Sequence, residues 1–139
     1  MCRNIERQMK AYFENREEVV AVYLFGSYAE GKERPLSDVD IGILLDTKYL
    51  DNSSEMRDLY MVQLARGLRV DIHPVLLNSA SEALLKQVFL NGKCILVRDA
   101  RKLARYKMMV FAAIAEFGYY RSQMQSGLIK RLKRGLQGG

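Results

Sequence analysis

The sequence predicts a mixed α/β (α+β) fold, in which a small mixed β-sheet is flanked by helices and followed by a long C-terminal helix. Three observations carry this prediction: apolar runs of strand length, amphipathic segments between them, and one uninterrupted helical periodicity near the end of the chain. Strands that alternate with helices fold as helices packed on a sheet. The 139 residues, 49% of them hydrophobic and 27% charged, suffice for one compact domain.

The first part of the chain predicts one helix and two strands. Residues 3–15 carry apolar side chains at helical spacing, which indicates an amphipathic helix. Residues 19–25 are β-branched and aromatic, apolar on both faces and bounded by a glycine, as in a buried central strand. A loop over 29–37, with one glycine and one proline, separates this strand from a second one over 38–45.

The rest of the chain predicts three helices and two strands. These elements are a helix over 54–66 that stops at Gly67, a strand over 70–77, a helix that begins near Asn78 or Ser79 and ends at Asn91-Gly92, an edge strand over 94–97, and a helix over 99–134. We place the core of the fold at residues 1–98 and treat residues 99–139 as a C-terminal helix of the same domain. Cys94, inside an apolar run, is expected to be buried.

Composition and charge exclude several classes of protein. No run approaches the roughly 18 apolar residues of a membrane-spanning helix, and the charged N-terminus lacks the apolar core of a signal peptide. Cys2 and Cys94 form neither a disulfide framework nor a metal-ligand spacing. We therefore expect a cytoplasmic protein without a membrane partner. The net charge of +6 comes from residues 98–134, which hold ten Lys and Arg but only two acidic residues.

One pattern joins the end of the first strand to the start of the second. Gly26-Ser27 closes the buried strand, where free backbone N–H groups and a hydroxyl can hold phosphate oxygens. After ten intervening residues, Asp38 and Asp40 stand at i and i+2 of a strand, so both carboxylates project from one face. Adjacent carboxylates repel unless a cation lies between them, and Mg²⁺ binds one or two carboxylates together with substrate phosphates. Either half alone is typical of a turn or a solvated strand end, whereas the two together indicate a nucleotide site.

The string from Gly26 to Ile41 resembles the signature of the nucleotidyltransferase superfamily related to DNA polymerase beta. It is most similar to the minimal members, the MNT proteins, which are commonly encoded beside a HEPN-domain protein. The resemblance covers most of residues 18–97, with a specific motif at 26–40. It implies the polymerase-beta-like fold and two Mg²⁺ ions. The implied reaction transfers a nucleoside monophosphate from an NTP, with ATP as the default, to a hydroxyl, and releases pyrophosphate.

The resemblance also implies roles for individual residues. That family uses a third carboxylate on a neighbouring strand, and Asp71 is the match here. The implied metal ligands and catalytic residues are Asp38, Asp40 and Asp71, and Asp71 is also the implied proton acceptor. The implied nucleotide-binding residues are Gly26 and Ser27, and Lys32 and Arg34 in the loop would add positive charge. His73 shares the parity of Asp71 and is either an orienting neighbour of the site or a structural histidine. Asp46 is a weaker candidate for the third carboxylate because it lies beyond the predicted strand end.

The C-terminal helix carries a sustained heptad seam. At 1.5 Å per residue, a helix over 99–134 is roughly 50 Å long, which exceeds the ~26–28 Å scale of a compact domain of this size. We therefore expect the distal half to bind a protein partner or a second copy. The residues expected to make this contact are Tyr119, Tyr120, Met124, Leu128 and Leu132. The basic cluster at 130–134 contains no aromatic residue to stack on bases, which disfavours nucleic acid.

Three functional hypotheses follow. The leading one, implied by the resemblance, is an antitoxin that moves AMP from ATP to a tyrosine of a HEPN ribonuclease toxin and also binds that toxin. The second is nucleotidyl transfer to a small hydroxylated molecule, as in antibiotic-modifying enzymes. The third is a non-catalytic module that inhibits its partner by binding, although occlusion alone would not require paired carboxylates.

Overall fold

The computed structural model describes residues 2–26 and 38–137. The helices are α1 (Cys2–Phe13), α2 (Ser53–Leu68), α3 (Glu82–Asn91) and α4 (Ala100–Gln137), and the strands are β1 (Val19–Phe25), β2 (Val39–Leu45), β3 (Ile72–Leu76) and β4 (Lys93–Val97). Short 3₁₀ turns span Thr47–Asn52 and Leu77–Ser79. The chain divides into two compact units, Met1–Arg105 and Tyr106–Gly139, of which the first contains the whole sheet. Within the described ranges, no helix combines the length and the apolarity needed to cross a membrane.

The four strands form one mixed sheet in the order β3-β2-β1-β4. Strand β1 pairs antiparallel with both β2 and β4, whereas β2 and β3 run parallel. All seven residues of β1 are buried, so the prediction of a buried central strand is confirmed. The predicted α/β fold with a small mixed sheet and flanking helices is confirmed as well.

One face of the sheet carries the main core. Leu24 pairs with Ile41, and both side chains are buried in the cluster that also contains α1 and α2 residues. The largest side chain there is Tyr60 of α2, whose ring packs edge-on against Phe13 of α1 with centroids 5.2 Å apart. The opposite face is covered by α3, where Phe89 meets Tyr23 of β1 with centroids 5.4 Å apart.

Several local predictions differ from the structure. Helix α3 does not begin near Asn78 or Ser79, which lie in a 3₁₀ turn, but at Glu82, because Ser81 is the residue whose hydroxyl accepts the N-cap hydrogen bond from the Leu84 N–H. Helix α2 does not stop at Gly67 but continues to Leu68, and it ends at Arg69, which adopts a left-handed conformation (φ 59°) and donates its N–H to the Ala65 carbonyl. Strand β3 begins at Ile72 rather than at residue 70, because residues 69–71 make the turn out of the helix. Cys94 is exposed rather than buried, since β4 lies at the sheet edge.

The Asn78 side chain forms hydrogen bonds with the backbone at the end of β2. Its amide accepts a hydrogen bond from the Leu45 N–H at 2.8 Å and donates one to the Leu45 carbonyl at 2.9 Å. Strand β3 has already ended at Leu76, so this side chain replaces the next backbone pair of the β2–β3 ladder. A buried backbone group without a partner is costly, and the Asn78 amide satisfies two of them.

Replacing Asn78 with alanine should lower the free energy of unfolding by about 2 kcal/mol, because both Leu45 backbone groups lose their partner. Urea denaturation followed by circular dichroism measures the change. Asn52→Ala is the matched control, since Asn52 precedes α2 without making a side-chain cap hydrogen bond, and it should leave the midpoint nearly unchanged. Equal effects in the two variants would contradict the role given to Asn78.

Tyr60 is a core residue whose hydroxyl forms a hydrogen bond with the Glu18 carboxylate. Its hydroxyl donates to Glu18 Oε1 at 2.7 Å, and the Glu18 side chain is only 16% exposed. Arg16 lies 3.7 Å from the same Glu18 oxygen. Burial, together with the hydrogen bond to Glu18, raises the pKa of the Tyr60 hydroxyl well above its ordinary value, so the phenol is the donor throughout the physiological range.

Tyr60→Phe should destabilise the fold by about 1.5–3 kcal/mol, the range for a hydrogen bond to a charged group, because the Glu18 carboxylate loses its donor. Thermal unfolding compared with the wild type checks this. The control is Tyr119→Phe, which also removes one hydroxyl but from a mostly exposed ring. A destabilisation no larger than that of the control would mean that Glu18 is satisfied without Tyr60.

Candidate active site

The candidate site lies at the start of β2, where three strands meet. Asp40 is the second residue of β2 and pairs with Phe25, the last residue of β1, on one side and with His73 of β3 on the other. Its neighbours Val39 and Ile41 are fully buried on the core face. Because side chains alternate along a strand, Asp40 projects from the opposite face, where its side chain is 30% exposed.

Gly26 makes room for Asp40. The residue follows β1 with a φ of +74°, a conformation that L side chains rarely adopt. A Cβ at this position would collide with Oδ2 of Asp40 and would lie 3.3 Å from its Cγ. The sequence indicated a glycine for close approach of a phosphate. The structure adds a second reason, which is that the chain turns directly beside a carboxylate.

Asp38 and Asp71 each stand one residue before a strand, β2 and β3 respectively. Asp38 immediately precedes β2, two residues before Asp40, and is exposed. Asp71 precedes β3, and its backbone carbonyl accepts a hydrogen bond from the Val39 N–H at 2.8 Å. Ile72 is buried and pairs with Val39, so Asp71 and Asp38 precede paired residues of neighbouring strands. Asp71 is exposed and lies one residue before the strand in which the sequence predicted it, and its role stays a prediction.

His73 is the residue of this site that sequence reasoning left undecided. Its Nδ1 lies 3.2 Å from Oδ1 of Asp40, and its side chain is 66% exposed. Parity with Asp71 placed His73 on the correct face. Its contact with Asp40 depends on the β2–β3 register, which joins strands that are not consecutive in the chain.

The other predicted site residues are distributed as follows. Ser27, Lys32 and Arg34 lie outside the described residues. In α4, Tyr119 is 63% exposed and Met124 is 75% exposed, whereas the side chains at Tyr120, Leu128 and Leu132 fall outside what the structure describes.

Asp46 has a structural role at the far end of β2. Its carboxylate accepts a hydrogen bond from the Lys48 N–H at 3.2 Å, which caps a 3₁₀ turn, and a second from the Lys102 ammonium. These two donors, Lys102 first, hold the pKa of the Asp46 carboxyl below its usual range. Asp46 thus has a structural role at this end of β2, away from Asp40 at the other end.

The described residues fit a metal that is completed by its substrate. Across residues 2–26 and 38–137, no three His, Cys, Asp or Glu side chains lie close enough together to hold a metal by themselves. Mg²⁺ does not need such a cage, since it commonly binds one or two carboxylates and takes its remaining ligands from phosphates and water. Asp40 beside the Gly26 turn, with the exposed Asp38 two residues earlier, matches that donor set in chemistry.

Comparisons with known proteins agree with this arrangement. A family described as "Polymerase beta, Nucleotidyltransferase" matches residues 7–101. The protein adenylyltransferase MntA of Shewanella oneidensis is 37% identical over 91 residues, which are 65% of this chain and 63% of that protein, so the chain aligns with less than two thirds of its relative.

Two solved structures extend the likeness to most of the chain. One is a toxin–antitoxin structure with AMP-PNP, which is 28% identical, has a TM-score of 0.69, and covers 91% of this chain and 98% of the other. The second is a tri-AMPylated Shewanella oneidensis HEPN toxin in complex with an MNT antitoxin, at 26% identity and a TM-score of 0.62, covering 95% and 99%.

The family match spans more than half of the chain and includes Gly26, Asp38, Asp40 and Asp71. It confirms the superfamily that the pattern at 26–40 resembles. The chain belongs to the polymerase beta nucleotidyltransferase family.

Proposed function

We propose that this chain is an antitoxin of the MNT type, which transfers AMP from ATP to a tyrosine hydroxyl of a HEPN toxin. The observation that carries the proposal is the placement of Asp40 at the start of β2, beside the Gly26 turn and two residues after Asp38. Family membership supports nucleotidyl transfer. The adenylyltransferase name of the MntA relative, and the AMPylated HEPN toxin in the similar complex, support AMP as the group and a toxin as the acceptor.

The proposed reaction exchanges one phosphate ester for another. The tyrosine oxygen bonds to the α-phosphorus, the bond from that phosphorus to the β-phosphate bridging oxygen breaks, and pyrophosphate leaves. Asp38 and Asp40 would hold two Mg²⁺ ions, and Asp71 would complete the ligand set and accept the tyrosine proton. When bound, the metals supply the positive charge that offsets charge on the attacking and leaving oxygens.

Other parts of the chain bind and orient the two substrates. The Gly26–Ser27 backbone and the Ser27 hydroxyl hold the β- and γ-phosphates, with positive charge from Lys32 and Arg34. The distal part of α4 binds the toxin through the surface that the sequence assigned to it, of which Tyr119 and Met124 are well exposed. ATP and Mg²⁺ are plentiful in the cytoplasm, which is the compartment that this reaction requires.

Changing Asp38 and Asp40 together to asparagine should abolish transfer while preserving the complex with the toxin. Loss of the metal ligands removes several kcal/mol of transition-state stabilisation, which corresponds to more than about 100-fold in rate. Intact mass spectrometry of the HEPN partner, after incubation with the chain, ATP and Mg²⁺, counts the adenylyl groups. A complex that forms without any mass shift from the wild-type chain would instead support inhibition by binding, and AMP on a small hydroxylated acceptor would support the antibiotic-modifying alternative.

Asp71→Asn should reduce the transfer rate by more than about tenfold with little change in stability, because Asp71 is exposed and contributes to the β2–β3 pairing only through its backbone. Single-turnover transfer, with ATP saturating, isolates the chemical step. Asp51→Asn is the matched control, since it neutralises an exposed carboxylate in the 3₁₀ turn before α2. If both variants react at the wild-type rate, Asp71 is not the third carboxylate.

A further inference from the structure

The chain has a single histidine, and it contacts a predicted metal ligand. His73 Nδ1 lies 3.2 Å from Asp40 Oδ1, across the paired strands β2 and β3. The imidazole is about two-thirds exposed, so core packing does not hold the ring in place. Within the part of the chain that the structure describes, the polar contact with Asp40 orients the ring relative to the carboxylate.

The two oxygens of the Asp40 carboxylate have different surroundings. Oδ1 faces the imidazole of His73. Oδ2 faces Gly26, at the point where any Cβ would collide with it. The Asp40 carboxylate therefore has a hydrogen-bond donor on one side and the Gly26 turn on the other. Both neighbours restrict its rotation about the Cβ–Cγ bond, so Oδ2 stays directed at the turn.

We propose that His73 is a positioning residue for Asp40. In this arrangement the Nδ1–H of a neutral imidazole donates to Oδ1, which holds Oδ2 toward Gly26 for a divalent cation. Carboxylates that bind metals are commonly oriented by hydrogen bonds from neighbouring groups, and loss of such a partner weakens metal binding. The inference rests on the proposed function only in taking Asp40 as a metal ligand; it requires nothing of the acceptor or the nucleotide.

The hydrogen bond requires a specific tautomer. The proton must be on Nδ1, because the carboxylate oxygen can only accept, and Nε2 is then unprotonated. A neutral imidazole without such a partner favours the proton on Nε2. The tautomer of His73 thus reports directly on the contact with Asp40, in the absence of metal, nucleotide and toxin.

Long-range ¹H–¹⁵N NMR of the full chain tests this, since a single histidine gives one unambiguous set of ring signals. The spectrum is recorded as a pH series, and the tautomer is read where the ring signals are those of the neutral imidazole. We expect the Nδ1–H tautomer in the wild type and the Nε2–H tautomer in Asp40→Ala. An Nε2–H ring in the wild type, or an Nδ1–H ring that persists in Asp40→Ala, would overturn the proposal.

Metal affinity supplies a second readout that does not depend on catalysis. Titration of the full chain with Mn²⁺, followed by electron paramagnetic resonance, should give a dissociation constant at least about 10-fold weaker in His73→Ala than in the wild type. His73→Asn should restore most of the affinity, because the asparagine amide places an N–H donor near the position of Nδ1. If His73→Ala and the wild type bind Mn²⁺ with equal affinity, His73 does not position Asp40 for the metal.

These measurements separate the inference from the proposed function. If Mn²⁺ binds and depends on His73 while no AMP reaches the toxin, the positioning role stands and the proposed acceptor is wrong. If AMP transfer occurs and His73→Ala binds Mn²⁺ and reacts like the wild type, the proposed function stands and the positioning role is wrong.

Discussion

The register of β2 between its two neighbours determines every other feature of the site. Asp40 is opposite Phe25 in β1 and opposite His73 in β3, and both pairings depend on backbone hydrogen bonds along β2. Because side chains alternate along a strand, a slip of one residue would turn Asp40 into the core and bring Val39 to the surface. The fully buried Val39, Ile41 and Ile43 oppose such a slip, so the apolar face of β2 fixes the position of its carboxylates.

The polar residues at the two ends of β2 make different contacts. At the far end, Asn78 bonds the backbone of Leu45, and Asp46 is held by Lys102 and by the N–H of Lys48. At the near end, Asp38 is exposed and Asp40 is partly exposed. Among the residues that the structure describes, these far-end contacts stabilise the fold, whereas the contact at the near end is that of Asp40 with His73.

Sequence reasoning succeeded where the information is local. The apolar run at 19–25 predicts β1 without error, and the second predicted strand, over 38–45, is found at Val39–Leu45. It was incomplete where distant segments meet. The contact of His73 with Asp40 requires the parallel pairing of β2 with β3, which a helix and a turn separate in the chain.

Helix and strand ends were the other source of error. Gly67 is the residue that sequence rules favour as a helix stop, yet the helix ends at Arg69, which adopts a left-handed conformation despite having a side chain. Cys94 was expected to be buried because its neighbours are apolar, but an edge strand has one side without a neighbouring strand. In both cases the tertiary position of the segment outweighs the preference of a single residue.

The close approach of Gly26 to Asp40 makes the two positions interdependent in evolution. A side chain at position 26 has two separate costs, a left-handed backbone of about 1–2 kcal/mol and a collision with the carboxylate. Only the first cost remains in a chain whose residue 40 is small. A lineage that has lost the acidic residue can therefore tolerate a larger residue at 26, whereas a lineage that keeps it is confined to glycine. In this family, a side chain at the glycine position should accordingly mark members that no longer carry the acidic residue beside it.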